Sequence, residues 1–204
     1  MTRAIDLRVI ELLSAKLCHD LIGPVAAISN GAELLAEEDP EFVRDAVALV
    51  GDSARQAGKR LQFYRFAYGF SGGGLAGPPP HQLAAELFEG GAVACDYGLD
   101  VQALPLAQQK LACALLALAG EALPRGGRLA VAAAGGGIEI SADGAGDGPS
   151  PQIRAAMSLA AAPAELTSRT VGAYFAGLLA EALGCRLEVA DRPGGFRLAA
   201  VAAS

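Results

Sequence analysis

The chain has no tryptophan and only two histidines among its 204 residues. Its four cysteines lie far apart and form no Cys-x-x-Cys pair. A structural zinc site needs four closely spaced Cys or His ligands, so we expect no metal site and free, reduced cysteines typical of the cytoplasm. The net charge of −6 lacks the basic excess with which proteins neutralise nucleic-acid phosphates. We therefore expect no binding of nucleic acid.

Long apolar runs are also missing. The longest spans residues 111–119, which is too short for a transmembrane helix of about 20 residues. The N-terminal residues place charges among their apolar positions, unlike a signal peptide. Hydrophobic residues still make up 52% of the chain, which is enough to bury a core. These features predict a soluble cytoplasmic protein that does not bind membranes.

A segment rich in glycine and proline divides the chain. Residues 71–80 have the sequence SGGGLAGPPP, which disfavours a helix and predicts a linker. It separates residues 1–70 from residues 81–204. In the second region, strands are expected at 92–95, 100–103, 128–133, 138–142, 186–190 and 195–202, and helices at 105–123, 151–160 and 166–183. This order predicts an α/β sandwich with a mostly antiparallel or mixed sheet and helices on one face, and an α+β fold for the whole chain.

The first region has the periodicity of a helical hairpin. Apolar residues spaced by three and four predict one helix over 4–36 and another from about 41 to 68. Between them, Asp39 is suited to an N-cap and Pro40 to the first helical position. A lone hairpin cannot cover its own apolar stripe, so we expect a homodimer that forms a four-helix bundle. In the alternative, the second region covers the stripe within one monomer.

His19 is the candidate reactive residue. At about 100° per residue it lies about 200° from Leu17 on the apolar seam, so the imidazole should point to solvent. A neutral imidazole nitrogen is a good nucleophile. The carboxylate of Asp20 is suited to hold the proton on the other nitrogen. Pro24, five residues after the histidine, should kink the helix just beyond the site.

The segment from Ala15 to Leu35, AKLCHDLIGPVAAISNGAELL, has the pattern His, acid, three residues, Pro. It resembles the phosphoacceptor segment of two-component histidine kinases, and most closely the ChpT-type histidine phosphotransferases of alphaproteobacteria. The resemblance implies an enzyme that shuttles a phosphoryl group between receiver-domain aspartates through His19, by way of a phosphohistidine and without ATP. It further implies a cytoplasmic homodimer that receives phosphate from the receiver domain of a hybrid histidine kinase and passes it to response regulators. The receiver would supply Mg²⁺, and this chain would bind no cofactor.

Cations near His19 form a candidate docking surface. Antiparallel pairing places His19 opposite roughly residue 58, and Lys16, Arg55 and Lys59 lie at that level. We expect them to bind an acidic receiver surface, the alternative being ordinary solvated helix faces. Gly23 lies four residues after His19, within the same contact region. Sensor kinases that dephosphorylate their partners often have Thr or Asn there to align a water, so glycine predicts little phosphatase activity.

Two other functions remain open. A true histidine kinase would bind ATP in the second region, where the family has an Asn-rich helix and an Asp-x-Gly-x-Gly loop. The matching positions hold Ala114 and Leu118 in place of Asn, and Ala142 in place of Asp when Gly144 and Gly146 are aligned with the loop's glycines. We therefore expect a degenerate ATPase-like domain that cannot support autophosphorylation. The second alternative is a non-catalytic dimeric scaffold that binds response regulators.

Overall fold

The computed structural model describes residues 6–36, 39–69, 77–144 and 148–203. A helical hairpin is followed by a second region of five strands and five helices within these residues, so the predicted α+β fold is confirmed. Most of the expected linker, residues 71–76, and Gly146 of the predicted loop lie outside them. The elements are α1 (Leu7–Leu34), α2 (Pro40–Ala67), α3 (Pro80–Phe88), β1 (Val93–Tyr97), α4 (Leu99–Gln102), α5 (Leu106–Glu121), β2 (Gly127–Ala134), β3 (Gly137–Gly144), α6 (Pro151–Met157), α7 (Val171–Ala182), β4 (Cys185–Arg192) and β5 (Gly195–Ala202).

Local capping sets where the hairpin helices begin. The Asp6 carboxylate accepts a hydrogen bond from the Arg8 backbone N–H at the start of α1, at 2.9 Å. Asp39 caps α2 as predicted, accepting from the Glu41 N–H at 2.8 Å, and Pro40 is the first helical residue. These side chains satisfy backbone donors that have no partner within the first turn.

The second region contains a mixed five-stranded sheet in the order β1-β2-β3-β5-β4. β1 and β2 are parallel, and the other neighbours are antiparallel. α5 and α7 pack on the sheet. Every residue from 111 to 119 is buried, so the longest apolar run of the sequence forms the central helix of the core.

Two elements differ from the sequence prediction. Residues 100–103 are not a strand, because the Asp100 carboxylate accepts from the backbone N–H of Val101 at 2.9 Å and of Ala133 at 2.7 Å. These bonds support the short helix α4, which buries Val101 completely. α3 is absent from the predicted elements because its first residue, Pro80, belongs to the segment predicted as a linker. Proline is well tolerated at the first helical position, where its missing N–H costs no hydrogen bond.

The two regions share one interior. Val9 of α1 is part of the main core, and Phe63 and Tyr68 of α2 pack with Leu83 and Cys113 of the second region. The second region therefore covers the open end of the hairpin. The alternative to a dimer, in which the second region covers the apolar stripe within one monomer, holds for that end only. Elsewhere the hairpin exposes large apolar side chains at Ile22, Val25, Leu34, Leu35, Phe42, Val47, Leu49 and Leu61.

α1 has the length and apolar character of a membrane-spanning helix, with a mean hydropathy of 1.2 over its best window. Two charged side chains near its middle argue for another environment. Lys16 and Asp20 form an ion pair on the side of α1 that faces the rest of the chain. α1 also packs along α2 and against α7. Its apolar character therefore fits a helix that packs against other helices.

Candidate functional site

His19 lies near the middle of α1 and points outward, as predicted. Its side chain is 85% exposed. Nδ1 lies 3.5 Å from Oδ1 of Asp20. With a proton on Nδ1 directed at the carboxylate, Nε2 is the unprotonated nitrogen at the exposed tip of the ring. A nitrogen in this position is accessible to a group carried by another protein.

Asp20 is held from the side opposite the histidine. Its side chain is only 19% exposed. Oδ2 accepts hydrogen bonds from Lys16 Nζ at 3.2 Å and from the Tyr64 hydroxyl at 3.0 Å. Burial and the Asp20 carboxylate raise the pKa of Tyr64 well above its usual range, so the hydroxyl stays protonated and donates. With Oδ2 anchored by two donors, Oδ1 is left facing the imidazole.

Pro24 explains a third contact at this site. Proline has no N–H, so it cannot bond the backbone carbonyl four residues earlier, which is that of Asp20. Arg60 Nη1 donates to this carbonyl at 3.1 Å. α1 continues past Pro24 to Leu34. The proline therefore creates an acceptor that binds an arginine of the opposite helix, next to His19.

Lys16 is not on the surface where the sequence analysis placed it. It is 7% exposed, and its ammonium lies 2.7 Å from Oε1 of Glu121 as well as 3.2 Å from Asp20. Burial lowers the pKa of Lys16, but the two carboxylates outweigh that effect and leave it raised, so the side chain is charged. The expectation that Lys16 belongs to an exposed basic patch is wrong, because the second region packs over this face of α1.

Arg55 and Lys59 are accessible, but the surface around them is not purely basic. Arg55 pairs with Asp52, and Lys59 pairs with Glu89 just after α3. These side chains and Glu86 line a groove of about 410 Å³ between α2 and α3. The sequence has no acid between Asp52 and Glu86, and it is α3 that brings the two glutamates alongside. The predicted basic patch is therefore a groove of mixed charge.

Comparison with known proteins identifies the family. Residues 80–194, more than half of the chain, match the family described as "Histidine phosphotransferase C-terminal domain". The chain belongs to the histidine phosphotransferase family.

Two individual proteins extend this result over nearly the whole chain. The protein phosphotransferase ChpT of Brucella abortus (strain 2308) is 34% identical over 185 residues, covering 87% of this chain and 88% of the relative. The solved structure of a bacterial phosphotransferase superposes with a TM-score of 0.80 at 31% identity, covering 98% of each chain. The chain is thus a histidine phosphotransferase of a phosphorelay, as the resemblance at His19 predicted.

In this phosphotransferase, the three positions that the sequence analysis aligned with nucleotide-binding residues of histidine kinases lie in the core. Ala114, Leu118 and Ala142 are all buried. Among the described residues, no group of three or more His, Cys, Asp or Glu is placed to hold a metal ion.

Gly23 lies on the exposed side of α1, one turn after His19. A Cβ built there would have no neighbour within 4 Å. The position is therefore open, and this chain places no side chain there. The predicted lack of phosphatase activity stays a prediction.

Sequence analysis missed three residues of the site: Tyr64 and Glu121, and Arg60 as a ligand of the Asp20 carbonyl. Tyr64 lies among the apolar residues of the helix predicted from about 41 to 68, and a tyrosine that packs among such residues still has a hydroxyl that needs a partner. Glu121 is 105 positions from Lys16, beyond the reach of any local pattern. Pro24 predicts a carbonyl without a helical partner, but local sequence does not show which side chain of the opposite helix binds it.

Proposed function

We propose that Nε2 of His19 carries the phosphoryl group of this phosphotransferase. The observation that carries the proposal is an exposed imidazole whose inner nitrogen contacts the largely buried, doubly anchored carboxylate of Asp20. An anchored carboxylate favours one tautomer and one ring orientation, which leaves the outer nitrogen free to react.

The transfer needs no proton to leave the site. The lone pair of His19 Nε2 attacks the phosphorus of an aspartyl phosphate, the new N–P bond forms, and the P–O bond to the donor aspartate breaks to release a carboxylate. The proton stays on Nδ1, and the positive charge that develops on the ring is stabilised by Asp20. An acceptor aspartate reverses the step by attacking the same phosphorus and releasing the neutral imidazole. Catalysis of this kind depends mainly on positioning and charge neutralisation.

The proposed partners are receiver domains of two-component signalling. The receiver of a hybrid histidine kinase would donate phosphate, and response-regulator receivers would accept it. The receiver would contribute Mg²⁺, and this chain would bind no cofactor. Ala114, Leu118 and Ala142 are buried, and their apolar side chains offer no polar group to a nucleotide or its metal. This supports the proposal that the chain itself binds no nucleotide. We also propose little phosphatase activity, because Gly23 has no side chain to align a water.

The proposed active form is a cytoplasmic homodimer. The part of the hairpin away from the second region exposes Phe42 and Leu49 on one face of α2 and Leu34 and Leu35 at the end of α1. A second hairpin packed on this surface would complete a four-helix bundle and remove these side chains from water.

The test is transfer of labelled phosphate from a phosphorylated receiver domain, comparing the wild type with His19→Ala. We expect label on the wild type, none on the variant, and none on either protein after incubation with labelled ATP alone. His81 is the only other histidine, so His81→Ala is the matched control and should accept label normally.

Each other outcome has a distinct meaning. Label on His19→Ala would show that another residue accepts the phosphoryl group. Label from ATP alone would make the protein a kinase and contradict the assignment of the second region. Receiver binding without any label would favour the scaffold.

A further inference from the structure

A charged chain of contacts joins the second region to the candidate phosphoacceptor. Glu121 at the end of α5 binds the ammonium of Lys16 at 2.7 Å, the same ammonium binds Asp20 at 3.2 Å, and Asp20 faces His19. We infer that Lys16 and Glu121 are positioning residues through which the second region holds Asp20 in the orientation that His19 needs. The inference rests on the proposed function of His19.

The buried position of Lys16 allows its ammonium to hold two carboxylates in place. It lies between two carboxylates on different elements, and its burial limits competition from water. Without the ammonium, Asp20 and Glu121 would face each other as like charges in a partly buried setting, which is unfavourable. Asp20 can relieve that repulsion by turning toward solvent, and in doing so it would leave Nδ1 of His19.

Tyr64 alone does not hold the carboxylate in place. Its hydroxyl supplies one neutral hydrogen bond to Oδ2, whereas the ammonium supplies a charge-assisted bond, which is roughly twice as strong. The hydroxyl of Tyr68 is buried nearby and has no hydrogen-bond partner among the described residues. The Tyr68 hydroxyl is uncharged, so it cannot replace the Lys16 ammonium between the two carboxylates.

Glu121 links this cluster to the fold of the second region. It is the last residue of α5, the helix whose centre is buried throughout the core. A glutamate fixed at the end of a rigid helix sets where the ammonium lies, and hence which way Asp20 turns. The second region would then contribute to the transfer reaction even though its nucleotide-binding positions are lost.

The test combines kinetics with the tautomer of His19. Lys16→Met, Lys16→Arg and Glu121→Gln are compared with Lys110→Met, a matched control. Lys110 also joins the two regions, donating to the Gly69 carbonyl, but it has no contact with Asp20. Single-turnover transfer is measured over a range of phosphorylated receiver concentrations, which separates docking from the rate at saturation. Nitrogen-15 NMR of histidine-labelled protein reports the two imidazoles separately.

We expect Lys16→Met to lower the saturated rate about tenfold or more, by analogy with the loss of a group that orients a metal-bound histidine. Glu121→Gln should lower it several-fold. The receiver concentration at half-saturation should not change, and the His19 signals should move toward those of a free tautomer mixture. Lys16→Arg should keep most of the rate, and Lys110→Met should match the wild type.

Normal rates and normal His19 signals in both Lys16→Met and Glu121→Gln would overturn the inference, leaving the ion pair a purely structural contact. If Lys16→Met does not fold, Glu121→Gln decides, because the Glu121 side chain is 44% exposed and tolerates the change. A His19→Ala variant that still accepts label would instead overturn the proposed function. The two failures are therefore distinguishable.

Discussion

His19 and Asp20 are adjacent in sequence, and on a regular helix their side chains diverge by about 100°. They approach each other because Asp20 turns inward to Lys16 and Tyr64 while one of its oxygens stays near the ring. The outward direction of His19 could be predicted, because exposure on a helix follows from local periodicity. The contacts of Asp20 could not, because they depend on a neighbouring helix and on Glu121 in the second region.

A prediction at this scale concerns Arg55 and Lys59. Each already pairs with a carboxylate, so an acidic partner must replace that pair rather than bind a free cation. We expect Arg55→Ala with Lys59→Ala to raise the half-saturating receiver concentration about two- to fivefold at low salt, since exposed ion pairs contribute about 0.2–1 kcal/mol. The saturated transfer rate should not change.

Glu89→Gln is the opposing control for the docking prediction. It frees Lys59 and should lower the half-saturating concentration. Binding measured at increasing salt provides the check, because screening weakens contacts between exposed charges. If both variants match the wild type and show no salt dependence, these residues do not dock the receiver.

At the scale of elements, α1 contains two helical glycines in different surroundings. A Cβ at Gly23 would meet nothing within 4 Å, whereas one at Gly31 would lie 2.7 Å from Val50 Cγ2. Gly23 is therefore free of packing constraints, and Gly31 lets α1 and α2 approach closely. The sequence placed both glycines on one helix but could not tell these surroundings apart.

We predict opposite effects for the same substitution at these two sites. Gly23→Ala should raise the free energy of unfolding by about 0.5–1 kcal/mol, because alanine has the higher helix propensity. At Gly31, overpacking that costs about 1–3 kcal/mol should exceed that gain, so Gly31→Ala should be destabilising. Denaturant unfolding followed by circular dichroism measures both. A stabilised Gly31→Ala variant would show that the helices can separate without loss.

The two incorrectly predicted elements share a cause at this scale. α4 and α3 are short, and short helices have too few residues for periodicity to be decisive. α4 depends on an aspartate that binds a strand 33 residues away. α3 begins within a run of prolines that also predicts a linker. The long helices α1, α2 and α5 were predicted because periodicity, or an unbroken apolar run, extends over several turns.

For the whole molecule, the sequence established a hairpin, a mixed sheet and their order. It did not show that the hairpin and the second region share one core, because that requires knowing which side of α1 each packs against. The consequence for the site is direct, since Lys16 was expected at the surface and lies instead at the junction. A lysine is rarely buried because of its charge, so the sequence alone predicts that Lys16 lies at the surface.

The exposed end of the hairpin leads to a prediction about assembly. Phe42→Glu with Leu49→Glu should yield a monomer, because both side chains are exposed on one face of α2 and would be covered in the proposed four-helix bundle. Leu99→Glu is the matched control, since Leu99 is 81% exposed but belongs to the second region. Sedimentation velocity should give a dimer for the wild type and the control. A monomeric wild type, or a dimeric double variant, would contradict the proposal.

The bond between Arg60 and the carbonyl freed by Pro24 also has a mechanical meaning. It fastens the backbone of one hairpin helix to the other, one residue from His19, the proposed phosphoacceptor. Rotating α1 against α2 would leave the half-buried Asp20 carbonyl without its hydrogen bond, at a cost of about 1–3 kcal/mol. The histidine is consequently presented in the same way to whichever partner arrives. A phosphate donor and a phosphate acceptor can then bind the same rigid surface, so the partners determine the direction in which the phosphoryl group moves.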